Sequence, residues 1–266
     1  MRTAHTVAQV RAAEAELMAR LPEGALMQRA ATGLAVACAQ RLGRVYAAPV
    51  LLLVGAGNNG ADALWAGAQL AARGALVRAV LAGEPVADAL AAFRAAGGRV
   101  VDAPGAGLVV DGLVGIGGRG GLRPRAAELA GLVRDRDTVA VDLPSGVDAD
   151  TGEVAGAAVR ADLTVTFGTL KPGLLLARPW VGELKLVDMG MQDSVRDART
   201  SFQVATWNEF VEAIETIVLR KVRAFASAVD PDANVVFETF YFERGESDGD
   251  GDGARPDAVQ HDGAGA

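Results

Sequence analysis

A chain of 266 residues and 27.3 kDa has room for one α/β domain with a small appendage and is too long for a disulfide-stapled peptide. Half of its residues are apolar and its mean hydropathy is +0.22, which excludes a wholly disordered chain, while no apolar run approaches the ~20 residues of a membrane span. The net charge of −7 argues against the basic stripe of a phosphate-backbone binder, so neither nucleic acid nor membrane is expected as a partner. Much of that charge sits in residues 244–266, where Glu246, Asp248, Asp250, Asp252, Asp257 and Asp262 face only Arg244 and Arg255. Cys38 is the only cysteine, which excludes an intramolecular disulfide and a single-chain thiolate metal cluster. Glu14 and Glu16 interrupt the stretch that a secretory signal would need to be apolar, so the expected compartment is the cytoplasm.

Along the chain, Thr6 and Gln9 have capping-box spacing, and Val7, Val10, Glu14 and Leu17 set out the period of a first helix. A second helix is expected from about Pro22 to Leu42. The apolar run Pro49 to Val54 is a strand, broken by the turn at residues 55–60, and Ala63 to Ala72 is a helix. The unit then recurs: strand Leu76 to Leu81, helix from about Pro85 to Ala96, strand Val109 to Val114, helix Pro124 to Arg134, strand Thr138 to Leu143. Thr164 to Phe167 and Leu184 to Val187 add two more strands. Strands alternating with helices of about ten residues imply a Rossmann-like, doubly wound α/β fold, a mainly parallel sheet with helices on both faces.

Near residue 190 the composition changes. Five aromatics precede it, and Phe202 to Phe242 holds the other eight. Thr206 and Glu209 would cap a helix running to about Phe225, with Phe210, Ile214 and Val218 on one face, and Asn234 to Phe242 is a strand. The expected organisation is a domain over 1–191, a small helix-strand extension over 192–243 and a disordered acidic tail over 244–266, whose polar, glycine-rich composition cannot offset the entropy of ordering.

Three stretches carry chemistry. Residues 55–60 fit G-x-G-x-x-G between a strand and a helix, where backbone N–H groups can hold a phosphate, although a tight turn with glycines at positive φ has the same pattern. The residues that follow are more specific: Asn58, Asn59 and Asp62 cluster at one helix start, where a plain dinucleotide fold would place packing residues. Asp111 stands in an apolar strand, where a charge needs loop amides, a partner or a cation. The run Gly115, Ile116, Gly117, Gly118, Arg119, Gly120 and Gly121 that follows suits wrapping of a phosphate, or else a flexible connection. Asp142 and Ser145 lie in Asp-Leu-Pro-Ser-Gly, with Asp142 leaving the carboxyl end of a strand, where α/β sheets bind ligands. Ser145 lacks a nucleophile elbow, and His5 and His261 lie in terminal segments, so a serine hydrolase is not indicated. Amide, carboxylate and hydroxyl oxygens are the available ligands, which suits a hard cation over zinc or copper.

Taken together, Gly57-Asn58-Asn59-Gly60-Ala61-Asp62, Asp111 with Gly115 to Gly121, and Asp142 to Gly146 resemble the NAD(P)H-hydrate epimerase family of YjeF N-terminal type. Leu26 to Ala30 and Phe167 to Gly173 extend the likeness over roughly residues 3–191, with alanine at Ala61 and Ala63 where the family often has glycine. The resemblance implies interconversion of the R and S forms of NADH and NADPH hydrated at C6, repairing the cofactor together with a separate stereospecific dehydratase. It also implies one potassium ion per subunit, with Asn59, Asp111 and Ser145 as ligands. The hydrate would be held by Asn58, Asn59, Gly60, Ala61 and Asp62, by Gly115 to Gly121, and by Asp142, which is also the expected acid/base. Two alternatives stay open: an NAD-dependent oxidoreductase, for which Glu84 is the one candidate ribose ligand, and a non-catalytic dinucleotide-binding scaffold. A homo-oligomer formed through residues 192–242 is compatible with either outcome.

Overall fold

The strand Pro49–Val54 (β1) shows why this sequence makes a covered sheet. Val50, Leu52 and Val54 enter one hydrophobic core while Leu51 and Leu53 enter another, so both faces of the strand are apolar. A strand buried on both sides reads as a continuous apolar run, and it sits at the centre of a parallel sheet.

The computed structural model describes residues 4–190 in full, together with the backbone of 222–230 and 235–242. Two compact units divide the chain, Met1–Val204 and Ala205–Ala266. The first begins with helices α1 (Val7–Arg20) and α2 (Ala25–Leu42), followed by β1, α3 (Asn58–Ala72), β2 (Leu76–Leu81), α4 (Ala87–Ala95) and β3 (Arg99–Val100). It continues through β4 (Leu108–Gly112), α5 (Pro124–Leu132), β5 (Thr138–Val141), β6 (Leu163–Phe167), α6 (Pro172–Leu176), α7 (Arg178–Val181) and β7 (Glu183–Val187). The seven strands form one sheet in the order β3-β2-β1-β4-β5-β6-β7 with every neighbouring pair parallel, the Rossmann-like arrangement expected. Helices α1 to α4 contribute to the core on one face, and Ala126, Leu129 and Ala130 of α5 pack on the other.

The chain order reverses between β1 and β4, which opens a crevice above the carboxyl ends of the central strands. Register brings Asp111 of β4 opposite Leu53 of β1 and Ala140 of β5, so the strand carboxylate lies at this opening.

Most elements fall where periodicity placed them, including the Thr6–Gln9 capping box. The two-residue β3 and the short α6 and α7 were not anticipated, because a few residues set out no period. Among the described residues no helix is long and apolar enough to cross a membrane. In the second unit, β8 (Val222–Asp230) and β9 (Val235–Phe242) form an antiparallel pair with Phe225 opposite Phe240. The helix expected from Thr206 therefore cannot reach Phe225. Val222 to Phe225 belong to a strand, where pairing with β9 meets the backbone hydrogen bonds that a helical turn would otherwise make. The rest of that helix and the acidic tail lie outside the described residues.

The glycines of the first turn act by closeness of approach. None of Gly55, Gly57 or Gly60 has positive φ. A Cβ at Gly55 would lie 1.9 Å from the carbonyl oxygen of Leu113, and one at Gly60 would lie 2.1 Å from that of Gly55. The start of α3, the end of β1 and the loop after β4 are thus packed backbone to backbone. Gly60→Ala should cost about 1–3 kcal/mol through overpacking against immobile backbone, read as a lower urea midpoint with an unchanged slope.

Candidate functional site at the carboxyl ends of the central strands

Asn59 lies in the first turn of α3, 9% exposed, and its Nδ2 donates to the carbonyl of Val141 at the end of β5. A Cβ on Gly115 would come within 2.3 Å of Asn59 Oδ1, so the glycine loop leaves room for that oxygen and lies directly against it. Asn58, one residue earlier, stays exposed at the mouth. Ala61 is 1% exposed within the helix and does not have positive φ, so the methyl that replaces a glycine there is absorbed by the core.

Asp111 is fully buried. Its Oδ1 accepts from Ser145 Oγ at 2.7 Å and from the Leu113 amide at 3.2 Å, and its Oδ2 accepts from the Ser145 amide at 2.8 Å. The Val114 amide donates to Ser145 Oγ at 2.9 Å. Ser145 is therefore a tie between the turn after β5 and the loop after β4, consistent with its not being a nucleophile. No cation pairs with Asp111 among the described residues, and burial pushes its carboxyl up to about 6 against the pull of these hydrogen bonds.

Asp142 follows β5 with φ of +66°, a left-handed conformation that aspartate tolerates better than most residues but that still costs about 1–3 kcal/mol. The conformation is held from several directions. Its amide donates to the Val165 carbonyl at 2.7 Å, and its Oδ1 accepts from Thr166 Oγ1 at 3.0 Å, from the Phe167 amide at 3.1 Å and from Lys171 Nζ. Lys171 is 1% exposed and spends its three protons on Asp142, on Thr166 Oγ1 at 3.0 Å and on the Phe167 carbonyl at 3.1 Å. Three donors converge on Oδ1, and Oδ2 receives none among the described residues.

Asp62, on α3, is 6% exposed and its Oδ1 has no hydrogen-bond partner. Burial first, and then the charges of Asp142 and Glu14, hold its carboxyl well above the usual range. Glu14 reaches the same region from α1; burial raises its carboxyl, Asp142 raises it further, and Lys171 and Arg11 oppose the rise. An ion-paired carboxylate near a carboxyl whose hold on its proton is strengthened is the contrast that general acid-base chemistry uses.

Glycines 115–121 form the other side of the opening. Ile116 packs between two core clusters and anchors the loop, while Gly117, Arg119 and Gly120 are exposed. Gly118, Arg119 and Gly121 line a cleft of about 130 Å³ together with Val147 and Asp148. Asp148 is already engaged: the amides of Asp150 and Thr151 donate to it at 2.9 Å and keep its carboxylate below the usual range. The three motifs read from the sequence are thus brought to one end of the sheet.

Lys171 and Glu14 were missed as site residues. Lys171 lies in Thr-Leu-Lys-Pro-Gly just beyond a strand end, and Glu14 is an acid within an otherwise apolar helical stripe. Each was a local anomaly that pointed to the site. His5, expected only as a terminal residue, is buried with Nδ1 2.7 Å from Thr169 Oγ1.

Comparison with known proteins fits this geometry. Residues 23–173 match the model of the YjeF-related protein N-terminus family. The chain is 49% identical over 201 residues to the bifunctional NAD(P)H-hydrate repair enzyme Nnr of Mycobacterium tuberculosis (strain ATCC 25618 / H37Rv), a match covering 72% of this chain and 42% of that protein. It is 41% identical over 219 residues to the NAD(P)H-hydrate epimerase of Microbacterium testaceum (strain StLB037), covering 76% of this chain and 84% of that one. The crystal structure of the yeast protein ynu0 (YNL200c) shares the fold at a TM-score of 0.57 and 19% identity, over 64% of this chain and 82% of that one. The chain therefore spans less than half the length of the bifunctional relative and most of the length of the epimerase, and it belongs to the YjeF-related N-terminal family.

Proposed function

We propose that the protein interconverts the R and S forms of NADH and NADPH hydrated at C6, an isomerase that supplies a separate stereospecific dehydratase with the epimer it accepts. The observation that carries the reading is the Asp142–Lys171 pair, buried at the carboxyl end of the sheet near Asp62, whose Oδ1 has no hydrogen-bond partner. The names of the Mycobacterium tuberculosis and Microbacterium testaceum relatives support it. With one buried cysteine, whose thiol burial pushes up to about 12, the cytoplasm is the compartment we assign.

The hydroxyl at C6 lies beside the ring nitrogen, whose lone pair helps expel it, so inversion needs a proton for the departing oxygen and a base for its return. Asp142 fills both roles in turn through Oδ2: carrying a proton taken from solvent, it gives that proton to the C6 hydroxyl, which leaves as water, and the carboxylate so formed takes the proton back as water adds to the other face of the ring, while Lys171, Thr166 and the Phe167 amide hold Oδ1 and fix the carboxyl plane. Asp62 supplies a second carboxyl in the same region, one that burial makes easier to protonate than usual. The glycine loop and the first turn of α3 hold the dinucleotide, with Asn58 at the mouth.

The residues fit a potassium ion. Asn59, Asp111 and Ser145 are all buried and offer oxygen, and Asp111 is a buried carboxylate that no cation of the chain neutralises among the described residues. Bound there, potassium would supply that missing positive charge and tie the turns after β4 and β5 to α3. Residues 192–266 we assign to an extension separate from this chemistry.

The reaction is tested by adding the protein to R-NADH hydrate in potassium buffer and following both epimers by chromatography. Equilibration should outrun the spontaneous rate, and Asp142→Asn, which keeps a residue tolerant of positive φ, should lose about 10²–10⁴-fold of it. Hydride transfer instead of epimerisation would favour the oxidoreductase alternative. Because Asp142→Asn leaves Lys171 without its anion, Lys171→Met and the double variant complete a cycle. Each single change should cost about 3–5 kcal/mol of stability, and the double variant should be more stable than either while remaining inactive. Replacing choline with potassium at fixed ionic strength should raise the melting temperature of the wild type and leave that of Asp111→Ala unmoved.

A further inference from the structure

We propose that Arg11, on helix α1, binds the pyrophosphate of the hydrated dinucleotide together with the glycine loop 115–121, a role that rests on the epimerase reading above. Residues 1–22 precede the stretch matched by the family model, so nothing in that match assigns α1 a function.

The helix is fastened to the site by its start. The Val7 amide donates to Asp150 Oδ1 at 2.8 Å, the His5 amide donates to the Leu170 carbonyl at 2.8 Å, and Ala4 bridges to Leu170. These attachments are to the turn that follows β5 and to the loop carrying Lys171, so α1 moves with the catalytic end of the sheet. Val10, Ala13 and Leu17 bury one stripe of α1, and Glu14 turns toward Asp142 and Lys171.

Arg11 stands three residues before Glu14, on the same side of the helix and one turn nearer its start. Its guanidinium lies against the loop: a Cβ at Gly117 would be 3.0 Å from Arg11 Nη2. Gly117 and Arg11 are both exposed, so the contact lies at the opening and not in the core. Arg11 makes no ion pair or hydrogen bond among the described residues, and the acid within electrostatic reach, Glu14, has a carboxyl that burial and Asp142 hold above its usual range. Arg119, by contrast, is 3.9 Å from Asp150.

The loop supplies matching donors. Within it the Gly118 amide donates to the Gly115 carbonyl, and the amides of Gly120 and Gly121, both at positive φ, meet no acceptor among the described residues. A permanently charged planar guanidinium against Gly117, in a loop whose Gly120 and Gly121 amides are uncommitted, suits a doubly charged oxyanion, and the anionic part of the proposed substrate is its pyrophosphate. The two α1 residues would then set the orientation of the dinucleotide, with phosphate at Arg11 and the hydrated ring toward Glu14, Asp142 and Lys171.

The test uses ADP-ribose, which has the pyrophosphate and no nicotinamide, against the full chain and its Arg11→Ala and Arg11→Lys variants. Arg11→Ala should weaken ADP-ribose binding about tenfold in calorimetry, with partial recovery in Arg11→Lys, since the charge returns without the planar fork. In the epimerase assay KM should rise by the same factor while kcat stays within about twofold, the mark of lost uniform binding. Unchanged ADP-ribose affinity and KM in Arg11→Ala would overturn the assignment of Arg11 even with a fully active wild type. A wild type that binds ADP-ribose but does not epimerise the hydrate would overturn the reading of the reaction, and the ADP-ribose comparison would still decide whether Arg11 holds the phosphates.

Discussion

The site is governed by the burial of negative charge. Asp62, Asp111 and Asp142 are each at most 6% exposed at one end of a single sheet, and among the described residues the chain gives a direct cationic partner only to Asp142. An uncompensated buried carboxylate is costly, and the three are managed differently. Lys171 neutralises Asp142. Asp62 has its carboxyl pushed well above the usual range by burial and then by the neighbouring Asp142 and Glu14. Asp111 has hydrogen bonds from Ser145 and Leu113 and no ion pair among the described residues. The division of labour proposed above, an acid-base end and a cation-binding end, is argued from these three solutions.

The same crowding explains the glycines. Where the carboxylates of α3, β4 and the turn after β5 are gathered, the turn after β1, the start of α3 and the loop after β4 approach until backbone meets backbone, as at Gly55 and Gly60. Gly112 and Gly115 serve the same end, since a Cβ on either would collide with Asn59. These positions are glycine because of their neighbours and not because of their own dihedral angles. Asp142 is the opposite case, a residue with a side chain held at positive φ because its carboxyl is anchored by three donors.

The parts of the fold set by long patterns were legible in the sequence. The apolar runs of β1, β2 and β4 to β6, the capping box of α1 and the glycine turns all carry local signals, and they suffice to give a parallel sheet and to place Asn59, Asp111, Asp142 and Ser145 at its carboxyl end. What escaped were residues whose meaning depends on distant contacts. Lys171 becomes part of the site only because β6 lies beside β5, and Glu14 only because α1 packs over the strand ends. A positive charge before a proline and an acid in an apolar stripe were visible, but their partners are 29 and 128 residues away from them, at Asp142. The segment from Val222 to Phe225 has a different cause: four residues fit either period, and pairing with a later strand decides it.

An epimerase has an unusual requirement of its substrate contacts. Both epimers must bind, and neither can be stabilised far above the other without slowing the return reaction, so strong contacts to the C6 hydroxyl in one configuration would work against turnover. Affinity is better drawn from parts of the molecule that do not change during the reaction. On the reading proposed above, the exposed Asn58, the glycine loop and the exposed guanidinium on α1 would hold the unchanging dinucleotide body. The buried Asp142 and Asp62, with Glu14, would on the same reading be left to move protons. On this view the rigid backbone packing at Gly55, Gly60 and Gly115 matters because it keeps the binding end and the reacting end in fixed register while the hydroxyl leaves one face of the ring and returns to the other.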